Sequence, residues 1–266
     1  MVNVLALGIA RGGIELKSFF RQRDAVVFTF TLPAVLLSLL GSIFGGGLEG
    51  TGVSASQLFT AGMIAAGIAS TTFVNLGVGI ATDRDDGTLK RLRGLPMPPV
   101  SYFVGKLVLV FVVTAAEVMV LLGVGMLLFD LALPSDPARW LTFAWVFTLG
   151  VAGCGLLGIA ATGLVRSARS APAVMMLPYL VLCFVSGIYV IPITTLPDIL
   201  VRFGSVFPLK WLAQGFRSVF LPDSAANQEL AGAWEHGRVA MVLAAWCIGG
   251  LVLCLTTFRW RGRQER

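Results

Sequence analysis

Six long apolar stretches constrain the fold of this sequence more than any other feature. They cover approximately residues 25–44, 58–81, 102–129, 140–165, 173–192 and 239–258. About 20 predominantly apolar residues in a helix cross the roughly 30 Å hydrocarbon core of a bilayer. Only 13% of the 266 residues are charged and 56% are hydrophobic, whereas soluble domains carry about 25% charged residues. The sequence therefore predicts an all-α integral membrane protein with six transmembrane helices in one domain.

The basic residues are distributed unevenly between the two sides of these spans. Fifteen of the 20 lie in segments on the same side as the N-terminus. The other five are Arg139, Arg202, Lys210, Arg217 and Arg238. Because Lys and Arg concentrate on the cytoplasmic side, both termini are predicted to be cytoplasmic, in a bacterial plasma or inner membrane. Anionic lipid headgroups account for the net charge of +6, so no nucleic-acid partner is expected.

The N-terminal segment, residues 1–24, has the pattern of an amphipathic helix. One face of this helix is apolar and contains Leu5, Ile9, Leu16 and Phe20. The other face is polar and contains Arg11, Glu15, Ser18 and Gln22. Such a helix lies in the plane of the membrane interface. An ordinary basic flank of the first span is the alternative. A cleaved signal peptide is not expected, because no A-x-A site follows the first apolar run.

The most charged segment, residues 83–96, joins the second and third spans on the cytoplasmic side within a predicted loop, 82–101. Its acids, Asp83, Asp85 and Asp86, come before Gly87, and its bases, Lys90, Arg91 and Arg93, come after. This order complements the dipole of a short helix, to which Leu89 and Leu92 give an apolar edge and which Gly94 and Pro96 end. A solvated loop whose charges only set topology is one interpretation. A helix that docks on another protein is the other.

This segment resembles the cytoplasmic loop of the membrane subunits of ABC-2 type exporters, E-R-E-x-G-T-L-E-x-L-x-x-x-P. Aspartate replaces glutamate at Asp83 and Asp85, and Lys90 reverses a charge. In that family the segment is a coupling helix that contacts the ATP-binding subunit. The resemblance implies coupling roles for the matching residues, which are Asp83, Arg84, Asp85, Asp86, Gly87, Thr88, Leu89, Leu92 and Pro96.

Three further elements resemble the same family, in the same order along the chain. Arg23-Asp24 enters a first span that contains Pro33, and residues 185–192 are similar to the family's span-five signature. The resemblance places Ser186, Gly187 and Tyr189 near the translocation pathway. Residues 208–217 resemble the element before span six, with Pro208, Trp211 and Arg217.

The segment between spans five and six, residues 193–238, is too long for a plain connection. Its two apolar stretches, 199–207 and 211–220, are each too short to cross a membrane. They predict a re-entrant or interfacial helical hairpin, which the resemblance also implies. An external amphipathic loop is the alternative.

One ion, Glu117, lies midway along a predicted span. Ionisable residues within a membrane are costly and often mark a pathway. A role in the translocation route and a structural role, hydrogen-bonded to a neighbouring helix, are both open.

The chain contains no G-x-x-x-x-G-K-[ST] sequence and no Ser/His/Asp set. Its four cysteines lie within the spans and are interpreted as core residues, so no metal site is expected. The chain is therefore not predicted to be an enzyme, and ATP and magnesium are expected on a partner.

These observations predict the permease subunit of an ATP-driven exporter of a hydrophobic or amphipathic drug or antibiotic. The resemblance implies two cytoplasmic ATPase subunits and a second permease chain, identical or homologous, in contact with membrane lipids. Export of a lipid or lipid-linked polysaccharide is the alternative. A secondary transporter that uses Glu117, or a membrane enzyme, has less support, because no internal repeat or catalytic group accompanies that residue.

Overall fold

The computed structural model describes residues 4–47, 52–94 and 98–257, and within these ranges the chain is helical apart from one isolated bridge, Gly47 to Ser54. The α-helices are α1 (Val4–Arg21), α2 (Arg23–Ile43), α3 (Ala55–Ala69), α4 (Leu76–Asp85), α5 (Thr88–Arg93), α6 (Pro99–Phe129), α7 (Pro137–Ala161), α8 (Ala171–Val185), α9 (Asp198–Val206), α10 (Pro208–Phe220) and α11 (His236–Thr257). The predicted all-α fold is confirmed for these residues.

Five helical stretches of the described chain are long and apolar enough to cross a membrane. They are Arg23–Ile43, Ala55–Asp85, Val100–Phe129, Pro137–Ala161 and His236–Thr256. Each overlaps one of the predicted spans, because a continuous apolar run of this length can satisfy its backbone in a bilayer only as a helix. The protein is therefore a multi-pass membrane protein.

The predicted fifth span is shorter than the sequence indicated. The helix expected over 173–192 is α8, which has 15 residues and ends at Val185. Gly187, with a φ of 68°, ends it in a Schellman motif, in which Ile188 N–H donates to the carbonyl of Cys183 at 3.2 Å. At about 1.5 Å per residue α8 rises only about 22 Å. The predicted fifth span, and with it the count of six, therefore remains a prediction.

The second span is one continuous helix with an irregular centre. It begins at a capping box, in which Ser54 Oγ accepts from Gln57 N–H at 3.3 Å and Gln57 Oε1 accepts from Ser54 N–H at 3.1 Å. Between α3 and α4, Ser70–Asn75 is a π-helix. The helix was expected to end near residue 81 but continues to Asp85. The first acidic residues of the charged segment therefore belong to this span.

The segment before α11 contains two short helices where the sequence predicts a re-entrant or interfacial hairpin. α9 and α10 meet at Phe207, and Trp211 Nε1 closes the corner by donating to the carbonyl of Ser205 at 2.7 Å. All 13 residues of α10 are buried, and it packs against α3, α7 and α11. In contrast, α9 exposes apolar side chains such as Ile199. The re-entrant or interfacial hairpin therefore remains a prediction.

The N-terminal helix α1 packs along the beginning of α6. Gly8 and Gly12 form the contact, because a Cβ at these positions would approach Val104 Cγ1 to 2.4 Å and Val108 Cβ to 2.6 Å. Leu5 and other apolar side chains of α1 point outward and are exposed. The predicted helix is thus present, and its position at a membrane interface remains a prediction.

The predicted orientation can be tested at the two ends of the bundle. Ser135, between α6 and α7, is exposed at one end, and Gly94, after α5, is exposed at the other. Cysteine at Ser135 is expected to react with an impermeant thiol reagent in intact cells, and cysteine at Gly94 only after permeabilisation. The parent chain, with its four native cysteines, is the control. Labelling of the Gly94 variant in intact cells would contradict the predicted orientation.

Candidate functional site

The junction between α4 and α5 carries the acids of the charged segment. Asp83 and Asp85 lie in the last turn of α4, and Asp86 follows it. Gly87 has a φ of 77°, and a Cβ there would meet no atom within 4 Å, so its backbone angle is what requires glycine. The expectation that all three acids begin the short helix was wrong for Asp83 and Asp85. They end the preceding helix, because the second span continues unbroken to this point.

Acids at the C-terminal end of a helix are unfavourable unless other groups neutralise them. Asp83 has such partners, since its Oδ2 lies 2.7 Å from Lys106 Nζ and accepts from Tyr102 Oη at 2.8 Å. Lys106 Nζ also lies 2.9 Å from Glu15 Oε2 of α1. Arg11 pairs with the other oxygen of Glu15 at 2.7 Å. These residues form an ionic cluster, defined here as Arg11, Glu15, Asp83 and Lys106.

The ionic cluster is largely shielded from solvent and electrically balanced. The side chain of Lys106 is 5% exposed, that of Glu15 12% and that of Asp83 19%. Two positive and two negative charges meet there, and removal of one member of a shielded pair leaves its partner uncompensated. The cluster therefore fixes the end of α4 to both α1 and α6.

The next two residues of the junction contact a different part of the bundle. Arg84 donates to the carbonyls of Thr162, at 3.1 Å, and Val165, at 2.7 Å, just beyond α7. A guanidinium at this position satisfies carbonyls that a helix end leaves free. Asp85 accepts from the backbone N–H of Ala168, in the connection to α8. Adjacent side chains at 83, 84 and 85 thus contact separate elements.

The short helix α5 is attached through the remaining residues of the junction. Asp86 Oδ1 accepts from Thr88 N–H at 2.9 Å. Slight burial raises the pKa of Asp86, but hydrogen bonds with Thr88 and the charge of Arg91 outweigh it, and the pKa is lowered. Leu89 and Leu92 are buried as the pattern indicated, while Lys90 and Arg91 are exposed. Pro96 lies outside the described residues.

Glu117 is buried between α6 and the second span. Its side chain is 1% exposed, and its Oε2 accepts from Thr71 Oγ1 of the π-helix at 2.6 Å. Its Oε1 has no hydrogen-bond partner among the described residues. A Cβ at Gly67 would lie 2.7 Å from this oxygen, so the glycine makes room for the carboxylate. The geometry accommodates the structural role.

Two segments that resemble the family, residues 185–192 and 208–217, meet at the end of the bundle opposite the charged junction. Arg217 of α10 donates from Nη1 to the carbonyl of Gly187 at 3.1 Å. Its Nε lies 2.6 Å from Glu229 Oε1, with both side chains 3% exposed. Ser186 is fully buried beside this contact, whereas Tyr189 is half-buried. The structure thus joins the span-five signature to the predicted hairpin, in which Pro208 begins α10.

Several functional candidates were missed at the level of sequence. Lys106 was counted only as a residue that sets topology, and Glu15 only as part of a polar face. Tyr102 and Lys106 are four residues apart at the start of a span, which puts them on one face of a helix. That spacing was the available signal, and it does not reveal that the face meets α1 and Asp83. Glu229 carried no local signal.

The geometry places the charged junction, Glu117 and the α8–α10 contact in one helical bundle. The family model described as ABC-2 type transporter matches residues 13–221, a range that contains the junction at residues 83–86, Glu117 and both α8 and α10. Comparison with curated proteins gives no significant match. Since the family model covers most of the 266 residues, this chain belongs to the ABC-2 type transporter family and is a membrane permease of an ABC transporter.

Proposed function

We propose that this chain is the membrane-spanning subunit of an ATP-driven exporter that moves a hydrophobic or amphipathic compound, such as a drug or antibiotic, out of the cell. The observation that most supports this proposal is the set of contacts made by the junction at residues 83–86. Its four consecutive side chains contact α6, the end of α7, the connection to α8, and α5. Lys106 of α6 extends the first of these contacts to Glu15 of α1. A displacement of α5 would therefore act on most of the bundle at once.

The energy for export would come from a partner, since family membership implies an ABC ATPase subunit. We propose that two ATPase copies bind ATP and magnesium and contact the exposed side of α5, where Lys90 and Arg91 lie. A second permease chain, identical or homologous, would complete the pathway. Its surface would cover apolar side chains that a single chain leaves exposed, as on α2, of which only 11% is buried.

The alternative within the family is export of a lipid or a lipid-linked polysaccharide. Family membership favours either form of ATP-driven transport over a secondary transporter that uses Glu117.

Partner recruitment tests the proposal directly. Purification of the tagged chain from its own cells is expected to bring down a stoichiometric ATPase with a phosphate-binding Gly-rich loop. Charge reversal of Lys90 and Arg91 to Glu is expected to reduce that recovery strongly. Reversal of Arg169, which is exposed near the same end, is the matched control and should have little effect. An absent ATPase, or equal recovery from both variants, would contradict the proposed interface.

Glu117 provides a separate test of the translocation route. Glu117→Gln keeps an oxygen that accepts from Thr71, so abundance of folded protein is expected to stay normal. If the route passes near this residue, as we propose, transport or substrate preference changes, measured as export from loaded vesicles. Glu117→Asp, which shortens the side chain but keeps the charge, is the control. Loss of folded Gln variant would assign Glu117 a structural role instead.

A further inference from the structure

A cleft lies within a single chain, between α1, α2, the second span with its π-helix, α6 and α8. Its volume is about 780 Å³, within the range of roughly 300–1,000 Å³ that small-molecule sites occupy. It extends from Thr71 to Asp83, a rise of about 18 Å along the second span at roughly 1.5 Å per residue. The cleft therefore covers about half the thickness of a bilayer and ends at the ionic cluster.

The wall of the cleft is mainly apolar but also contains polar side chains, which would be unfavourable on a surface that faces lipid. Val78, Leu109 and Val110 line it together with Thr29 and Asn75. Asn75 is exposed, and its Nδ2 donates to Thr29 Oγ1 at 3.4 Å. A side-chain amide that faced hydrocarbon would cost free energy. A ligand with both apolar and polar parts would satisfy this wall better than lipid chains.

The charged end of the cleft indicates which ligands it prefers. Among the described residues that line it, the ionised groups are two carboxylates, Glu15 and Asp83, and one ammonium, Lys106. Lys106 is the most shielded of the three and lies against both carboxylates. Arg11, which pairs with Glu15, is not part of the lining, so two carboxylates line the cleft against one ammonium, and the carboxylates are the more exposed charges. Phe28 of α2, which also lines the cleft and is 68% exposed, adds an aromatic face of the kind that attracts cations.

We propose that this cleft binds amphipathic organic cations, with the cationic group near Glu15 and Asp83 and the apolar body against Val78 and Leu109. The inference rests on the proposed export function and specifies its substrate class. A ligand in this position would touch Asp83, which lies in the last turn of α4, before α5. Occupancy of the cleft would thereby act on the junction that we assign to coupling.

Two isosteric ions of opposite charge, tetraphenylphosphonium and tetraphenylborate, test the proposal. The purified full-length chain in nanodiscs of zwitterionic lipid is expected to bind the phosphonium saturably and in preference to the borate. Val78→Trp fills the cleft and is expected to lower phosphonium affinity roughly tenfold or more. Val252→Trp, on the exposed side of α11, is the matched control and should bind normally.

Two further variants separate ligand contact from misfolding and charge from shape. Phe28→Ala removes an exposed ring without disturbing the core, and affinity is expected to fall several-fold in protein that remains monodisperse. Glu15→Gln is expected to reduce phosphonium binding relative to borate binding. Equal binding of both ions, preference for the borate, or no effect of Val78→Trp would overturn the proposal.

This assay uses neither ATPase nor transport, so its failure is distinguishable from failure of the proposed function. No phosphonium binding by a chain that still recruits its ATPase would overturn the substrate class alone. Specific binding by a chain that recruits no ATPase would overturn the proposed function alone.

Discussion

Replacement of Arg217 by methionine is expected to lower the free energy of unfolding by about 3–5 kcal/mol, because it leaves the carboxylate of Glu229 buried without its partner. Both side chains are 3% exposed, and the Nε–Oε1 distance is 2.6 Å. The same change removes the hydrogen bond to the carbonyl of Gly187. The contact between the end of α8 and α10 should therefore loosen, which thermal unfolding of the purified chain would measure.

A double variant tests the physical reason for that loss. Arg217→Met with Glu229→Leu removes both charges and is expected to recover most of the stability, since a buried pair is often replaceable by apolar residues. Arg202→Met, at an exposed position on α9, is the control and should change stability by less than about 1 kcal/mol. If the single Arg217 variant melts like the parent chain, the pair has no structural importance.

Gly87→Val is expected to reduce transport at least about tenfold while the protein reaches the membrane at near-normal levels. Valine is strained at a φ of 77°, at a cost of roughly 1–3 kcal/mol, and the strain falls on the turn that sets the direction of α5. No atom lies within 4 Å of the added Cβ, so the rest of the bundle is not disturbed. Transport and ATPase recruitment in the same membranes are the measurements.

Two other glycine variants separate backbone strain from general damage to the segment. Gly87→Asn is expected to keep much of the transport, because asparagine tolerates left-handed angles better than other residues. Gly94→Val, where φ is −77°, should be nearly normal. Full transport with normal ATPase recruitment in Gly87→Val would remove the coupling assignment from this segment.

The sequence predicted the spans well because hydropathy over about 20 residues is a local property. The end of α8 was less predictable. Apolar residues continue past Val185, and only the backbone angle at Gly187 stops the helix there. The helices α9 and α10 correspond to two apolar stretches of the sequence that were too short to cross a membrane. Complete burial of α10 depends on the helices around it, which no local pattern reveals.

The residues of the charged segment were predicted from the sequence, but the side chains that they contact were not. Residues 83–96 carried a visible motif, yet the partners of Asp83 are Lys106 and Tyr102, on another helix. Glu15, which shares Lys106, precedes it by 91 residues. A charged residue near a helix end satisfies the same local pattern whether it faces water or another ion. Only the packing of α1 against α6 decides between them.

The π-helix at Ser70–Asn75 changes the angular phase of the second span. Such a segment accommodates about one residue more than an α-helical turn, and one residue corresponds to about 100° of rotation. Each side chain of the second span after Asn75 is therefore rotated about the helix axis by about that angle, compared with its position in an unbroken α-helix. In a regular helix of the same sequence, Asp83 would point away from Lys106. The direction of the coupling junction is thus set about two turns upstream, next to Glu117.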